Sequence, residues 1–195
     1  MFRRKKHTRK ISNTGAGMDA RATATPKIKR HTEPKLTIKG YAGITIRRED
    51  GTVVERRAPA PNYITQAGFE WIADSLYDGT EPAGQARWLG LSATSVSGQS
   101  SGANFTVTDI TTPAGLARKE TNNSPYAVTP KTMSLDATFT NATSDTGTRI
   151  TGITTLTVYS AKTGGTLIHA VHTAPFALNA GDSVEVDWTI TFSEP

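Results

Sequence analysis

The side chains best placed to act on another molecule are the clustered cations Arg3, Arg4, Lys5, Lys6, Arg9, Lys10, Lys27, Lys29 and Arg30. Residues 1–39 carry 12 Lys and Arg against Asp19 and Glu33, a net of +10; the other 156 residues carry 10 basic and 15 acidic groups, a net of −5. Such a division marks a tail that meets a polyanion or an acidic surface. Cations at this density hold phosphates by charge and counterion release, without reading sequence. Phe2 is the one aromatic residue beside them, so base stacking is not indicated. A peptide threading across neighbouring subunits has the same composition, and that reading stands equally beside nucleic-acid contact.

The remaining chemistry-bearing residues do not converge. His169 and His172 invite a metal, but residues three apart in a strand point to opposite faces. Ser183, in Ala-Gly-Asp-Ser, lacks the flanking glycines of a nucleophile elbow. Glu70 and Asp74 lie one helical turn apart, the pattern of a solvated face, and Gly164-Gly165 lacks the lysine of a phosphate loop. Asn104, Asn122 and Asn141 each begin an Asn-x-Ser/Thr triplet; without a secretion signal these read as chance matches. Trp71, Trp88 and Trp188 read as core or interface residues. No enzyme, metal or cofactor is expected.

A chain of 195 residues suits one domain with a tail and is long enough to bury a core unaided. It has no cysteine, which excludes disulfides and thiolate metal sites. No apolar run approaches the roughly 18 residues of a membrane span, and the basic start is followed by a polar stretch instead of a signal-peptide core, so neither export nor anchoring is expected. Residues 1–34 have few large apolar groups and are expected to stay unfolded alone as a basic, extended arm; the domain is expected over 35–195.

In LTIKGYAGITIR, Leu36, Ile38, Ile44 and Ile46 share one face of a strand, with a bulge expected at Gly40 and Gly43. Glu49-Asp50-Gly51 is a tight turn, residues 52–57 return as the second strand, and Pro59 and Pro61 are expected to end the ladder. Thr65 can cap a helix over about 65–78. Ile64 is set to pack on Phe69, and Phe69, Ile72, Ala73 and Leu76 form the expected buried stripe up to Gly79. Strands are expected at 87–94, 133–140, 149–160 and 166–173. A flexible loop follows the first, and an irregular surface passage covers 109–131. In SVEVDWTITF, Val184, Val186, Trp188, Ile190 and Phe192 alternate with polar residues without a miss. Seven to nine short strands and one helix predict a mainly β fold, an antiparallel sandwich (jelly-roll-like), with the strands between 133 and 192 running as a meander.

Four stretches in order carry a resemblance: Asn62-Tyr-Ile-Thr-Gln-Ala-Gly-Phe-Glu-Trp-Ile-Ala-Asp-Ser-Leu, Trp88-Leu-Gly-Leu-Ser, Gly115-Leu-Ala-Arg-Lys-Glu, and Leu178-Asn-Ala-Gly-Asp-Ser-Val-Glu-Val-Asp-Trp-Thr-Ile-Thr-Phe. Over about residues 60–195 this resembles small virion proteins of tailed double-stranded-DNA bacteriophages. The resemblance implies a non-enzymatic structural protein of the tail, neck or head surface, made in the host cytoplasm. It would assemble with copies of itself as a homo-oligomer and with other virion proteins, and would have no membrane partner. The alternatives are a capsid protein that binds nucleic acid through its arm, and a receptor- or carbohydrate-binding β-sandwich module.

Overall fold

The alternating stretch near the end of the sequence forms the middle of a sheet. A computed structural model describes residues 37–77, 86–121, 126–127, 132–142 and 148–193. The elements in chain order are β1 (Thr37–Arg47), β2 (Val53–Pro61), β3 (Tyr63–Ile64), α1 (Gln66–Tyr77), β4 (Trp88–Ser92), a single 3-10 turn (Ala114–Leu116), β5 (Lys119–Glu120), β6 (Tyr126–Ala127), β7 (Thr132–Thr140), β8 (Ile150–Tyr159), β9 (Leu167–Leu178) and β10 (Ser183–Ser193). The fold is mainly β, as expected: two antiparallel sheets with orders β2-β1-β10-β7-β6 and β3-β9-β8-β4-β5, and one α-helix among the described residues.

In the first sheet β10 pairs with β1 from Thr37↔Ser193 to Arg47↔Ser183 without a break, and with β7 from Ser183↔Thr140 to Thr191↔Thr132. The two-residue period turns Val184, Val186, Trp188 and Ile190 inward beside Ala42, Ile44, Ile46, Leu135, Ala137 and Phe139. Leu89, Leu91, Leu156, Val158, Val171, Phe176 and Leu178 meet them from the second sheet, and Leu116 joins the same core. Burying these side chains is the main stabilising term, at roughly 1.5–3 kcal/mol for each large one.

The expected meander is not what forms. β7 and β10 lie side by side in the first sheet, whereas β8 and β9 make a hairpin in the second. The physical reason lies in β8, where every residue from Ile153 to Tyr159 is buried. Such a strand needs cover on both faces. One face meets the core. The Thr154 and Thr155 hydroxyls donate to the carbonyls of Ala93 (3.2 Å) and Thr94 (2.6 Å), where the chain leaves the neighbouring strand β4. The 95–104 loop, expected to be flexible, is tied down: Gly102 N–H donates to Ile64 O at 2.7 Å and Gln66 N–H to Ala103 O at 3.2 Å.

Three further expectations hold only in part. The expected bulge occurs at Gly43 but not at Gly40: the β1–β2 register shifts between Ala42 and Ile44, with the extra residue on β2, while the β1 ladder with β10 is regular. At Gly40 a side chain would collide with the Asn62 amide, so the glycine is there for close approach. Pro59 does not end β2, since an edge strand tolerates a missing N–H donor on its open side; Pro61 does, as the strand's last residue. The buried face of α1 is also shifted from the predicted stripe. Thr65 caps the helix by accepting the Gly68 N–H at 2.8 Å, but Phe69 is 41% exposed and Ala73 is exposed. The helix docks through Gly68, where a Cβ would run into the Ile168 carbonyl of β9. Close backbone approach, rather than a large apolar stripe, sets the contact. Gly79 and Leu36 lie outside the described residues.

Candidate functional site

The predicted interaction residues Arg3, Arg4, Lys5, Lys6, Arg9, Lys10, Lys27, Lys29 and Arg30 all lie outside the described residues. Asn122 does too. His169 and His172 take opposite faces of β9, as their spacing requires: the register runs unbroken from Val158↔His169 to Thr155↔His172. His169 is buried in the core, with Nδ1 2.7 Å from Asn62 Nδ2 and its ring 6.2 Å from that of Trp188. Burial depresses its pKa to about 4, so the imidazole is neutral at pH 7. Among the described residues no three His, Cys, Asp or Glu side chains group around a point that could hold a metal. No helix among them is long and apolar enough to cross a membrane.

Asn104 is exposed, whereas Asn141 is buried and its amide is spent on internal bonds: Nδ2 donates to Thr148 O at 2.9 Å and Leu178 O at 3.0 Å. A glycan cannot attach there without breaking at least one of them and opening the buried site. Glu70 and Asp74 are exposed on α1, and Glu70 accepts from Gln66 Nε2 at 3.0 Å.

Two constellations escaped the sequence reading. The first surrounds Arg118. Its Nε meets Asp109 Oδ2 at 2.6 Å, its Nη1 donates to Ala161 O at 3.0 Å and Gly164 O at 2.5 Å, and its guanidinium carbon sits 3.2 Å from the Tyr159 ring centroid. Desolvation and the Asp109 charge push the Tyr159 hydroxyl up to about 12. Arg118 is engaged by Asp109, the Tyr159 ring and two backbone carbonyls, so the cluster clamps the 109–120 passage onto the 160–165 turn. Nothing in the spacing of Asp109, Arg118 and Tyr159 announces it.

The second is a cleft of about 450 Å³ where the β1–β2 turn overhangs the end of the first sheet, lined by Arg47, Arg48, Glu49, Gly51, Thr140, Ala142, Gly181 and Ser183. Cross-strand pairing dictates the row Arg47, Ser183, Thr140, because these three are direct neighbours on β1, β10 and β7. Val184 and Ile46 turn into the core, so the row beside them faces outward. The rim is fixed by backbone chemistry. Gly51 (φ 83°) closes the turn by donating to Arg48 O at 2.9 Å, and Asp50 Oδ1 accepts the Thr52 N–H at 2.8 Å, which lowers the Asp50 pKa. On the opposite rim Asn141 N–H donates to Asp182 O at 2.9 Å, and Asp182 Oδ2 accepts from Asn179 N and Nδ2, both at 2.9 Å. Gly181 (φ 84°) leaves room for the Glu49 carboxylate; a Cβ there would sit 2.8 Å from Glu49 Oε2.

In the cleft Arg47 is only loosely engaged, with Nη1 3.5 Å from Gly51 O and Nη2 3.6 Å from Glu185 Oε2. Arg48 interacts with the Asp50 carboxylate, helping to lower its pKa, and the hydroxyls of Thr140 and Ser183 have no partner among the described residues. Ser183, read from sequence as an unlikely nucleophile, stands here as a hydroxyl donor beside guanidinium groups. No family model, curated protein or solved structure matches the chain.

Proposed function

We propose that this chain is a non-enzymatic structural protein of a tailed-phage virion, a tail, neck or head-surface component that assembles by its β-sandwich and its basic arm. The observation that supports this most is the edge of the first sheet at β2, which no further strand among the described residues covers. The strands at the other three sheet edges (β3, β5 and β6) have two residues each, but the edge strand β2 has nine, with Val53 37% and Val54 53% exposed. An open edge of this length offers unpaired main-chain groups to another strand. The charge division between residues 1–39 and the rest supplies the second element, a cationic leader for a neighbouring subunit. Symmetric copies joined by such contacts would close into a ring or a small oligomer. The ordered resemblance over residues 60–195 is the ground for placing that assembly in a virion.

Light scattering on the full chain, on Val54→Lys and on a chain lacking residues 1–34 tests the reading. The full chain is expected to have one defined oligomeric mass that falls in at least one of the two variants. An intact chain that stays monomeric at high concentration would sink it. DNA affinity that falls steeply with salt and vanishes with the arm would instead favour the nucleic-acid-binding alternative.

A further inference from the structure

We infer that copies of this chain meet head to tail, with the exposed face of α1 on one copy seated on the outward side chains of β2 on the next. The inference rests on the assembly reading above and names the two surfaces that touch.

Among the described residues the large apolar side chains left exposed are Tyr41, Val53, Val54 and Phe69. Phe69 belongs to α1, where the exposed residues Gln66, Phe69, Glu70, Ala73 and Asp74 follow the i, i+3, i+4, i+7, i+8 spacing of one helix face. This stripe is apolar at Phe69 and Ala73 and acidic at Glu70 and Asp74. Glu70 accepts from the neutral Gln66 amide, and neither carboxylate has a cation partner among the described residues.

Val53 and Val54 share β2 with Arg56. Val53 and Arg56 stand opposite Arg47 and Thr45, whose common neighbour Ile46 turns into the core, so both point outward. Val54 is the extra residue at a register shift and, at 53%, the most exposed of the apolar group. Arg47 faces Glu185, Arg48 interacts with Asp50 and Arg57 pairs with Glu55. Arg56 is exposed and has no carboxylate partner among the described residues.

The two surfaces are complementary in both respects. Phe69 and Ala73 can cover Val53 and Val54, while the uncompensated carboxylates approach the uncompensated guanidinium. A two-fold contact would set α1 against α1 or β2 against β2 and bring like charges together. Charge therefore selects the unlike pairing. Both patches are exposed within one chain, so they meet only between copies. Each added copy leaves one surface of either kind free until a ring closes.

The test is charge reversal read by light scattering on the full-length chain. Arg56→Glu, and separately Glu70→Arg with Asp74→Arg, should each weaken association about tenfold or more and lower the mass. A chain carrying all three substitutions restores opposite signs and should regain the parent mass. Lys39→Glu, an exposed reversal on β1 outside both patches, should leave the mass unchanged. All these positions are exposed, so the thermal midpoint should stay at the parent value in every variant. With an assembled parent chain, full mass in either reversal, no recovery in the combined chain, or an equal loss in Lys39→Glu would overturn this contact and leave the assembly reading standing. A monomeric parent chain would overturn both.

Discussion

His169 shows what one buried residue can impose on the whole chain. Its pKa of about 4 lies below the ordinary value of 6.5, because burial disfavours the imidazolium. The unfolded chain therefore binds more protons in the interval between the two values. Stability contributed by the neutral ring is complete above about pH 6.5 and is lost as pH falls toward 4, by roughly 3 kcal/mol in total. Urea unfolding between pH 7 and 5, above most carboxylate titration, should show this slope in the intact protein and a much flatter profile in His169→Gln. An identical slope in both proteins would remove His169 as its cause. Asn62, the histidine's partner, also opens the stretch that carries the phage resemblance, and its neighbours there have roles of the same kind. Ile64 is buried, Thr65 caps α1 and Gly68 lets α1 approach β9. Glu120 closes the third stretch by pairing with Arg87 at 3.0 Å. Each of these positions has a packing reason, independent of any partner.

The elements that were legible in the sequence are those whose burial is one-sided. β10 and β1 show clean alternation because one face meets the core and the other meets solvent, and the Asp50-Gly51 turn between β1 and β2 follows from local chemistry alone. β8 and β9 were legible as strands but not as members of another sheet, since cover on both faces blurs their period. The helix was legible in place and in its cap, but not in its buried face. Pattern reading gives weight to Phe69, and the contact depends on a glycine without a side chain. Gly68→Ala should accordingly lift α1 from β9 and cost about 1–3 kcal/mol, although alanine is the better helix former. Thermal unfolding reads the loss, and an unchanged or raised midpoint would mean that the helix shifts without cost. The cleft was not legible because its row of Arg47, Ser183 and Thr140 exists only once three strands distant in sequence are in register.

For the molecule as a whole, the seam between the two sheets matters as much as either sheet. Arg57 on β2 crosses it: Nη1 donates to Thr173 Oγ1 at 2.9 Å and to the Ala174 carbonyl, Nη2 donates to Pro175 O at 3.3 Å, and the guanidinium lies 5.4 Å from the Phe176 ring centroid. Glu55 anchors the other side of the guanidinium at 2.7 Å. Removing it by Arg57→Ala should lower stability by about 2 kcal/mol, and Arg57→Lys should recover only part, because an ammonium cannot span three acceptors in one plane. A shift in urea midpoint at constant slope is the expected result, and no shift would show that the seam is held by the apolar core alone.

The position of β10 between β1 and β7 has a temporal side. Synthesis delivers β1 first and β7 about a hundred residues later, yet they share no ladder; each pairs with residues 183–193. A nascent chain can close the β1–β2 and β8–β9 hairpins as they emerge from the ribosome, but its first sheet stays in two halves, with apolar faces wet, until the last stretch slots between them.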